Sequence, residues 1–367
     1  MFESSVSMVI LEPMGLRIRD MIGGISRREM LSGTVAAGCG CLMGSAIANS
    51  DGVSLIGREQ QGDVVFKKPY GEVKQLGEGV YAVVSTPFLA DGKIGDLTTH
   101  CNGGLIGGRD GVLAFDAYRT MEGAVWVGEV SKALFGQLPT HVVCSHFHFD
   151  HIGGIAGFFD RATVPEIVMT ETTYLLALEH YAKVVRSKEN ARFAEHGLET
   201  WGGQFVSPTK IVIQEDEDLT IDLGGRVVKL TPMRGHTQSD LVAEVDDPAV
   251  TFGGDLIWNG IFPNFMSAIP SLYVRSVEHL LKRKKAVVIP GHGMDARADS
   301  VGLVSYLELQ QLIEMEAKRD FTKGLSVSEA VSEFIVPERL GYWKYFRPNF
   351  HEVAFKAWYR ELAENQG

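Results

Sequence analysis

The sequence predicts a layered fold of the α/β (or α+β) class, in which buried strands are covered by helices. Short apolar runs that end beside glycine recur along the chain, and such runs are most simply buried strands. Residues 123–136 carry apolar side chains at helical spacing and end in glycine, which predicts a helix among these strands. Hydrophobic residues make up 45% of the 367 positions, so the chain can bury a sizeable core.

The N-terminal residues 1–48 are predicted to be an export signal of the twin-arginine type. Arg27 and Arg28 precede a stretch without charge, residues 31–50, and "AIA" at residues 46–48 fits a cleavage site. The alternative is a basic pair before a core or transmembrane helix, but a stretch so rich in Gly and Ser inserts weakly. We therefore expect a periplasmic or otherwise exported protein without stable membrane insertion.

The next part of the chain is rich in predicted strands. "GVYAVVS" at residues 79–85 has many β-branched residues and predicts one strand. "GGLIGGRDGVLAFD" at residues 103–116 predicts two strands that meet at the "RDG" turn. Residues 87–97, between these strands, contain several Gly and Asp residues and predict a loop.

Further helices are predicted over residues 170–200, 272–285 and 301–364. Ser326 is a suitable N-cap for a helix within the last of these segments. The predicted organisation after the signal comprises three parts: a linker (49–76), a main domain (77–300) and a C-terminal helical extension (301–367).

Charge and cysteine content exclude some classes of function. The net charge is −11, which argues against nucleic acid as a partner because such proteins need a basic surface. Four cysteines are too few for a disulfide scaffold. "AAGC" ending at Cys39 is a poor match to a lipid-attachment site, and spacing leaves open whether Cys101 and Cys144 pair. The oligomeric state is not indicated by the sequence.

The stretch "SHFHFDHIGG" holds four residues that can bind a metal: His146, His148, Asp150 and His151. Residues two apart on an extended strand face the same side, so both His146 and His148 can reach one ion. Asp150 faces that side if the strand continues, whereas His151 requires a turn, which "IGG" supplies. The four groups are therefore predicted to divide between two neighbouring metal positions. Histidine and carboxylate without cysteine favour zinc with an open place for water.

Three later residues occur in the same local setting, at the end of an apolar run beside glycine: His236, Asp255 and His292. A lone histidine in a glycine-rich loop is usually only a hydrogen-bonded polar residue. The dense cluster together with these three residues predicts a metal site instead. The remaining histidines are assigned ordinary structural roles: His100, His141, His180, His196, His279 and His351.

The motifs "HFHFDH", "GHT", "GGD" and "PGHG", in that order, resemble the metallo-β-lactamase superfamily over about residues 77–294. The resemblance implies a four-layer αββα sandwich with two metal ions at one edge. It assigns three ligands to the first ion: His146, His148 and His236. It assigns three to the second ion, namely Asp150, His151 and His292, and it implies that Asp255 bridges the two ions.

Differences from known branches narrow the expected chemistry. His148 stands where the di-iron oxygen-reducing members have Glu, which disfavours that reaction. Asp255 stands where the commonest class B β-lactamases have Cys, and Trp258 where they have a substrate-binding Lys. Asp255 with His151 and His292 resembles glyoxalase II and its relatives, although the basic residues that bind glutathione there are not recognisable. The export signal and "GDLIWNGIFPNF" resemble periplasmic hydrolases, including the quinoprotein relay system metallohydrolases.

The resemblance implies a dinuclear zinc hydrolase, with iron or manganese as alternative metals. A metal-bound hydroxide would attack a small ester, thioester, lactone or amide. Asp150 is the expected catalytic residue, because it would orient the nucleophile and carry its proton. The alternatives are a mononuclear iron oxidoreductase such as a persulfide dioxygenase, a β-lactamase-like enzyme, and a non-enzymatic export accessory.

The loop at residues 87–97 and four nearby apolar residues have two interpretations. They either flank the mouth of the site or pack the loop without touching substrate. The four residues are Trp258, Ile261, Phe262 and Phe265.

Overall fold

The computed structural model describes most of the chain after the predicted signal. The described residues are 62–160, 164–186, 210–212, 217–284 and 286–365. Predictions for the export signal, Cys39, the first part of the linker and the helix beyond residue 186 lie outside them. No helix within the described residues is both long enough and apolar enough to span a membrane.

Eight described strands form the first sheet, and they lie in the order in which they occur along the chain. They are β1 (Asp63–Lys68), β2 (Gly71–Gly77), β3 (Val80–Ser85), β4 (Gly103–Gly107), β5 (Val112–Phe115), β6 (His141–Val143), β7 (Glu166–Thr170) and β8 (Lys210–Val212). Strands β1 to β5 pair antiparallel, whereas β5 to β8 pair parallel. Strands β3 to β5 confirm the strand predictions for this part of the chain.

The other described strands form a second sheet, in the order β14-β13-β12-β11-β10-β9. They are β9 (Leu219–Asp222), β10 (Val227–Met233), β11 (Asp240–Val245), β12 (Val250–Asn259), β13 (Val287–Gly293) and β14 (Ala296–Arg297). Strands β12 and β13 run parallel, and every other neighbouring pair in this sheet is antiparallel.

The described α-helices are α1 (Met121–Phe135), α2 (Phe149–Ile152), α3 (Glu171–Arg186), α4 (Pro270–Leu280), α5 (Val301–Thr322), α6 (Val327–Glu333) and α7 (Phe350–Glu364). Helix α1 begins after Thr120, whose side chain accepts a hydrogen bond from Gly123 N, and ends at Gly136 in a left-handed conformation. Ser326 caps α6 and forms a reciprocal capping box with Glu329, as its sequence position predicted.

Alternating burial along the strands produces the layers. In β3, Val80 and Ala82 pack in the core between the two sheets, whereas Tyr81 and Val83 pack on the other face, beside Trp126 of α1. Both faces of the strand are therefore buried, which explains its continuous apolar sequence. The same division holds across both sheets and confirms the predicted four-layer αββα sandwich.

The C-terminal helices form the outer layer on the second sheet. Leu256 of β12, Tyr273 of α4, Tyr306 of α5 and Trp358 of α7 belong to one buried apolar cluster. The helical extension predicted over residues 301–367 thus buries part of the second sheet within its described residues.

The linker predicted over residues 49–76 is wrong in its second half, where the chain forms β1 and β2. Strand β1 is an edge strand with mostly exposed side chains, and its apolar run of three residues is flanked by charged residues, so it lacks the longer run that predicts a core strand. In β2, Lys74 is buried and its Nζ lies 2.5 Å from Asp295 Oδ1. This buried ion pair explains why a lysine occurs inside a core strand.

Candidate metal centre

The first sheet contributes four of the predicted ligands through the segment that follows β6. Strand β6 ends at Val143, and His146 and His148 lie in the loop beyond it. Helix α2 carries Asp150 and His151. The expected alternation along an extended strand is therefore wrong here, because the chain leaves the sheet before it reaches His146. The loop and the helix nevertheless turn all four side chains toward the same edge of the sandwich.

The second sheet contributes the other three predicted ligands. His236 follows β10, Asp255 lies in the middle of β12, and His292 lies in β13. The pairing of β12 with β13 shifts register between Gly254 and Trp258. Irregularities of this kind redirect a side chain from the ordinary alternation, and here Asp255 turns toward the histidines.

Three histidines and Asp255 form the first group of converging atoms. His148 Nδ1 lies 3.1 Å from His146 Nε2 and 2.9 Å from His236 Nε2. Asp255 Oδ2 lies 3.2 Å from His236 Nε2 and 3.9 Å from His146 Nε2. All four atoms lie within 4.8 Å of one another. Three imidazole nitrogens and one carboxylate oxygen are a donor set that suits zinc.

The second group lies on the other side of the Asp255 carboxylate. His151 Nε2 lies 3.2 Å from Asp255 Oδ1 and 3.8 Å from Asp150 Oδ2. His292 Nε2 lies 3.4 Å from Asp255 Oδ1 and 3.2 Å from Asp150 Oδ2. Asp255 therefore presents one oxygen to each group, which is the arrangement expected of a bridging carboxylate.

Two unpaired atoms show that this donor set fits a metal ion. His151 Nε2 and Asp255 Oδ1 are buried and lack a hydrogen-bond partner among the described residues, although they lie 3.2 Å apart. Burial of unpaired polar atoms is unfavourable unless a ligand satisfies them. A divalent cation bound between them would satisfy both atoms.

A buried hydrogen-bond network orients two of the histidines. Asp116 Oδ2 lies 2.8 Å from His151 Nδ1 and accepts a hydrogen bond of 3.0 Å from Ser145 Oγ. Ser145 Oγ lies 2.9 Å from His146 Nδ1. When each Nδ1 carries the proton, every contact has one donor and one acceptor. The Nε2 atoms of His146 and His151 are then left free to bind metal.

The backbone around Asp255 is fixed by its neighbours. Trp258 Nε1 and Tyr273 Oη both donate to the Asp255 carbonyl oxygen, at 2.8 and 2.6 Å. Gly254 has φ +51°, a left-handed conformation that favours glycine. A Cβ atom at Gly291 would lie 2.0 Å from Asp255 Oδ1, so "PGHG" requires glycine there.

Burial and neighbouring charges leave His148, His236 and Asp255 in the forms that bind metal, whereas His292 holds a proton. Burial lowers the pKa of His148 to about 3 and that of His236 to about 4, so both are neutral. Against the effect of burial, the positive charges of His292 and His151 hold the pKa of Asp255 well below its usual value. Burial also opposes the shift at His292, yet the charge of Asp255 raises its pKa to about 9. A proton on His292 must therefore leave when metal binds.

The converging histidines and carboxylates open into a cavity of about 290 Å³. Its apolar wall includes Phe147, Phe149 and Phe346, and two arginines, Arg119 and Arg347, also line it. The cavity thus combines apolar surface with positive charge.

Residues that sequence reasoning placed at the mouth behave differently from one another. Trp258 lines the cavity, whereas Ile261, Phe262 and Phe265 are buried in the outer core. From the loop at residues 87–97, Phe88 stacks on Phe346 with ring centroids 5.0 Å apart. The packing interpretation therefore holds for the three buried residues.

Sequence reasoning missed Asp116, Ser145, His100 and Phe346. Asp116 comes directly after the apolar run of β5, in the same setting as the predicted ligands, so a signal for it existed. His100 was assigned a structural role, yet its Nδ1 lies 3.3 Å from Asp150 Oδ2. Phe346 lies far along the chain in a segment without a recognisable motif.

Cys101 and Cys144 are both buried, and neither forms a disulfide. The pairing that the sequence left open is therefore not made in this structure.

Comparisons with known proteins agree with the fold. Residues 126–292 match the family model of the metallo-β-lactamase superfamily. Similar solved structures include a metallo-β-lactamase from Pontibacter korlensis and, from Pseudomonas sp., the stereoselective inverting sec-alkylsulfatase Pisa1. The first has a TM-score of 0.51 and 20% identity, and the alignment covers 66% of this chain and 99% of that one. The second has a TM-score of 0.60 and 17% identity, with coverage of 78% and 49%.

Similarity to curated proteins is confined to part of the chain. The bovine and human acyl-coenzyme A thioesterases MBLAC2 are 29% and 30% identical to it over 164 residues. These residues are 42% of this chain, and they span 56% of the length of each relative. Residues 126–292 thus resemble the metallo-β-lactamase superfamily, and the described part of the chain folds as an αββα sandwich.

Proposed function

We propose that the protein is a metal-dependent hydrolase that holds two zinc ions and cleaves acyl thioesters or related carboxylic esters. One observation carries the proposal. The two oxygens of Asp255 face two different sets of histidines, and both sets open into the same cavity. His146, His148 and His236 would hold the first ion.

The second ion would be held by Asp150, His151 and His292, with Asp255 between the two positions. When bound, such ions lower the pKa of a coordinated water toward neutrality and stabilise charge that develops on a substrate oxygen. Asp150 is 18% exposed and lines the cavity, so its carboxylate can orient a water molecule and accept a proton from it.

The wall of the cavity supports an acyl substrate that also carries negative charge. Phe147, Phe149 and Phe346 offer apolar surface to an acyl chain, and Arg119 and Arg347 offer positive charge to an anionic group. Curated relatives that match part of the chain are acyl-coenzyme A thioesterases, whose substrates combine these two features.

The alternative reactions receive less support from the site. In a mononuclear iron oxidoreductase His151 and His292 would bind no metal. Their Nε2 atoms nevertheless lie 3.2 and 3.4 Å from Asp255 Oδ1. A β-lactamase-like reaction would lack the substrate-binding lysine, because Trp258 occupies that position and packs 4.3 Å from the His292 ring. A non-enzymatic accessory would not need the complete set of converging ligand atoms.

The decisive experiment combines metal analysis with a substrate panel on the same purified sample. We expect two zinc ions per chain by elemental analysis. Acyl-coenzyme A thioesters of increasing chain length, simple esters, lactones and a chromogenic β-lactam would be compared, with activity lost on chelation and restored by zinc. A protein that binds two ions but cleaves no ester or thioester would refute the proposal, as would one iron with no zinc.

A matched pair of variants tests the bridging role of Asp255. Asp255→Asn should lose metal at both positions together with at least about 100-fold in kcat/KM, because one oxygen of the bridge is replaced by an amide. Asp246→Asn is the control, since Asp246 is an acid on the surface with a side chain 99% exposed. Unchanged metal content in Asp255→Asn would contradict the assignment.

We also propose that residues 1–48 direct export to the periplasm. Arg27 and Arg28 before the uncharged stretch support this proposal. Cell fractionation of the full-length protein, with N-terminal sequencing of the mature form, tests it. Replacement of both arginines by lysine should retain the protein in the cytoplasm, and an unprocessed cytoplasmic wild type would refute the proposal.

A further inference from the structure

We propose that His100 is an additional ligand of the second metal ion. The inference rests on the two-ion centre proposed above and extends it by one residue. His100 lies in the segment between β3 and β4, outside every motif that identifies the other ligands.

The position of the His100 ring relative to Asp150 supports a direct role. His100 Nδ1 lies 3.3 Å from Asp150 Oδ2, and this same oxygen lies 3.2 Å from His292 Nε2. With His100 the second ion would be five-coordinate. Zinc binds nitrogen and oxygen at about 2.1 Å, so neighbouring ligand atoms at angles of about 90–120° lie about 3.0–3.6 Å apart, and the observed spacings fall in this range.

The three atoms also form a compact set. His100, Asp150 and His292 each offer one ligand atom, and these atoms lie within 4.8 Å of one another. The second position therefore has ligand candidates on two sides. His151 approaches from the core of the sandwich, whereas His100 and Asp150 line the cavity.

The backbone of His100 adopts a left-handed conformation that residues other than glycine rarely adopt. Its φ is +62°, in the left-handed region, although the residue is not glycine. Adjacent hydrogen bonds hold this loop against β13, which carries His292. Asn102 N donates to Gly291 O at 2.7 Å, and Asn102 Nδ2 donates to Pro290 O at 2.9 Å. Local strain of this kind collects at sites that bind ligands.

Ring contacts fix the orientation of the imidazole. The His100 ring packs edge-on against Phe346 with centroids 4.8 Å apart, and its centroid lies 5.2 Å from that of His292. Nε2 is buried and has no hydrogen-bond partner within the described part of the chain. The packing of the ring thus points Nδ1 toward Asp150 and the proposed second metal position.

The experiment uses metal titration of the metal-stripped full-length protein, with cobalt and zinc, in competition with a chromophoric chelator. His100→Asn is the test variant, because asparagine tolerates the left-handed conformation. Loss of a residue that only hydrogen-bonds to a ligand lowers metal affinity about 10- to 100-fold. Loss of a ligand should therefore lower the affinity for the second ion at least tenfold. The first ion should keep its affinity, and the visible spectrum of the second cobalt ion should change.

His180→Asn is the matched control, since His180 lines the same cavity but belongs to none of the converging groups. Thermal unfolding without metal confirms that the variants fold, and His100→Gly replaces the Asn variant if it does not. If the spectrum of the second cobalt ion is unchanged in a folded His100 variant, the inference is overturned whatever the affinities, while the two-ion hydrolase stands. A wild-type chain that binds fewer than two ions overturns the centre itself.

Discussion

Replacement of Asp116 by asparagine should weaken binding of the second metal ion without unfolding the protein. Asp116 is buried and contacts no substrate-facing surface, so its effect must pass through His151. The carboxylate holds the Nδ1 side of that ring and leaves Nε2 for metal. An asparagine side chain would keep the shape of the aspartate and would tolerate the backbone at this position, whose φ is +63°.

The structure gives the size of the effect. Asp116 accepts from His151 Nδ1 at 2.8 Å, Ser145 Oγ at 3.0 Å and Ser145 N at 2.8 Å, through both of its oxygens. An amide retains only one acceptor oxygen, so at least one donor faces an NH2 group. Hydrogen bonds to charged groups contribute about 1.5–3 kcal/mol each. At about 1.36 kcal/mol for each factor of ten, this range corresponds to a loss of about 10- to 100-fold in affinity.

Competition between the protein and a chromophoric zinc chelator measures both affinities in one titration. The second affinity should fall by that factor in Asp116→Asn, and the first should fall less, through the contact between Ser145 and His146. Asp246→Asn controls for the loss of one negative charge. If the second affinity of Asp116→Asn stays within twofold of wild type, the carboxylate does not orient His151 and the reasoning fails.

Three further changes test other parts of the site and the fold. Gly291→Ala should lose nearly all metal and activity, since its methyl group would lie 2.0 Å from Asp255 Oδ1, and elemental analysis with near-wild-type circular dichroism checks this. Phe346→Ala should raise the KM for long-chain thioesters about tenfold and that for an acetyl thioester less, because it removes part of the apolar wall. Burial lowers the pKa of His351 below its ordinary value of 6.5, so the native state resists protonation and its stability should be full above about pH 6.5 and fall at lower pH. Urea unfolding of the metal-free protein at pH 8 and pH 5.5 should show a smaller pH dependence in His351→Gln than in wild type; an equal dependence would contradict the assignment.

The convergence of the predicted ligands at one edge of the sandwich could be expected, because most of them are local in sequence. "HFHFDH" places four candidate side chains within six positions, and each later candidate follows an apolar run. Short runs that end beside glycine predict a strand and the loop after it, but only His236 follows its strand, whereas Asp255 lies within β12 and His292 within β13. The path of the backbone through this motif was less predictable, since β6 ends at Val143 and α2 replaces the expected strand.

Residues that act only through tertiary contacts could not be predicted in this way. A lone histidine at His100 has no pattern that separates it from His141 or His279, and only the fold brings it to Asp150. Strand β1 could not be predicted either, because its apolar run, Val64 to Phe66, is only three residues long and is flanked by charged residues.

The segment between α6 and α7, which contains Lys344 and Phe346, connects the apolar cluster beneath the C-terminal helices to the cavity. Phe262 N donates to Lys344 O at 2.8 Å, and Lys344 N donates to Gly260 O at 3.0 Å, so this segment is tied to the chain that follows β12. Two residues later, the Phe346 ring lies 5.1 Å from the ring of His292. Removing the segment would therefore open the cavity and uncover the second sheet at once. Because one deletion changes both stability and substrate binding, only single substitutions such as Phe346→Ala separate the role of this segment in specificity from its role in folding.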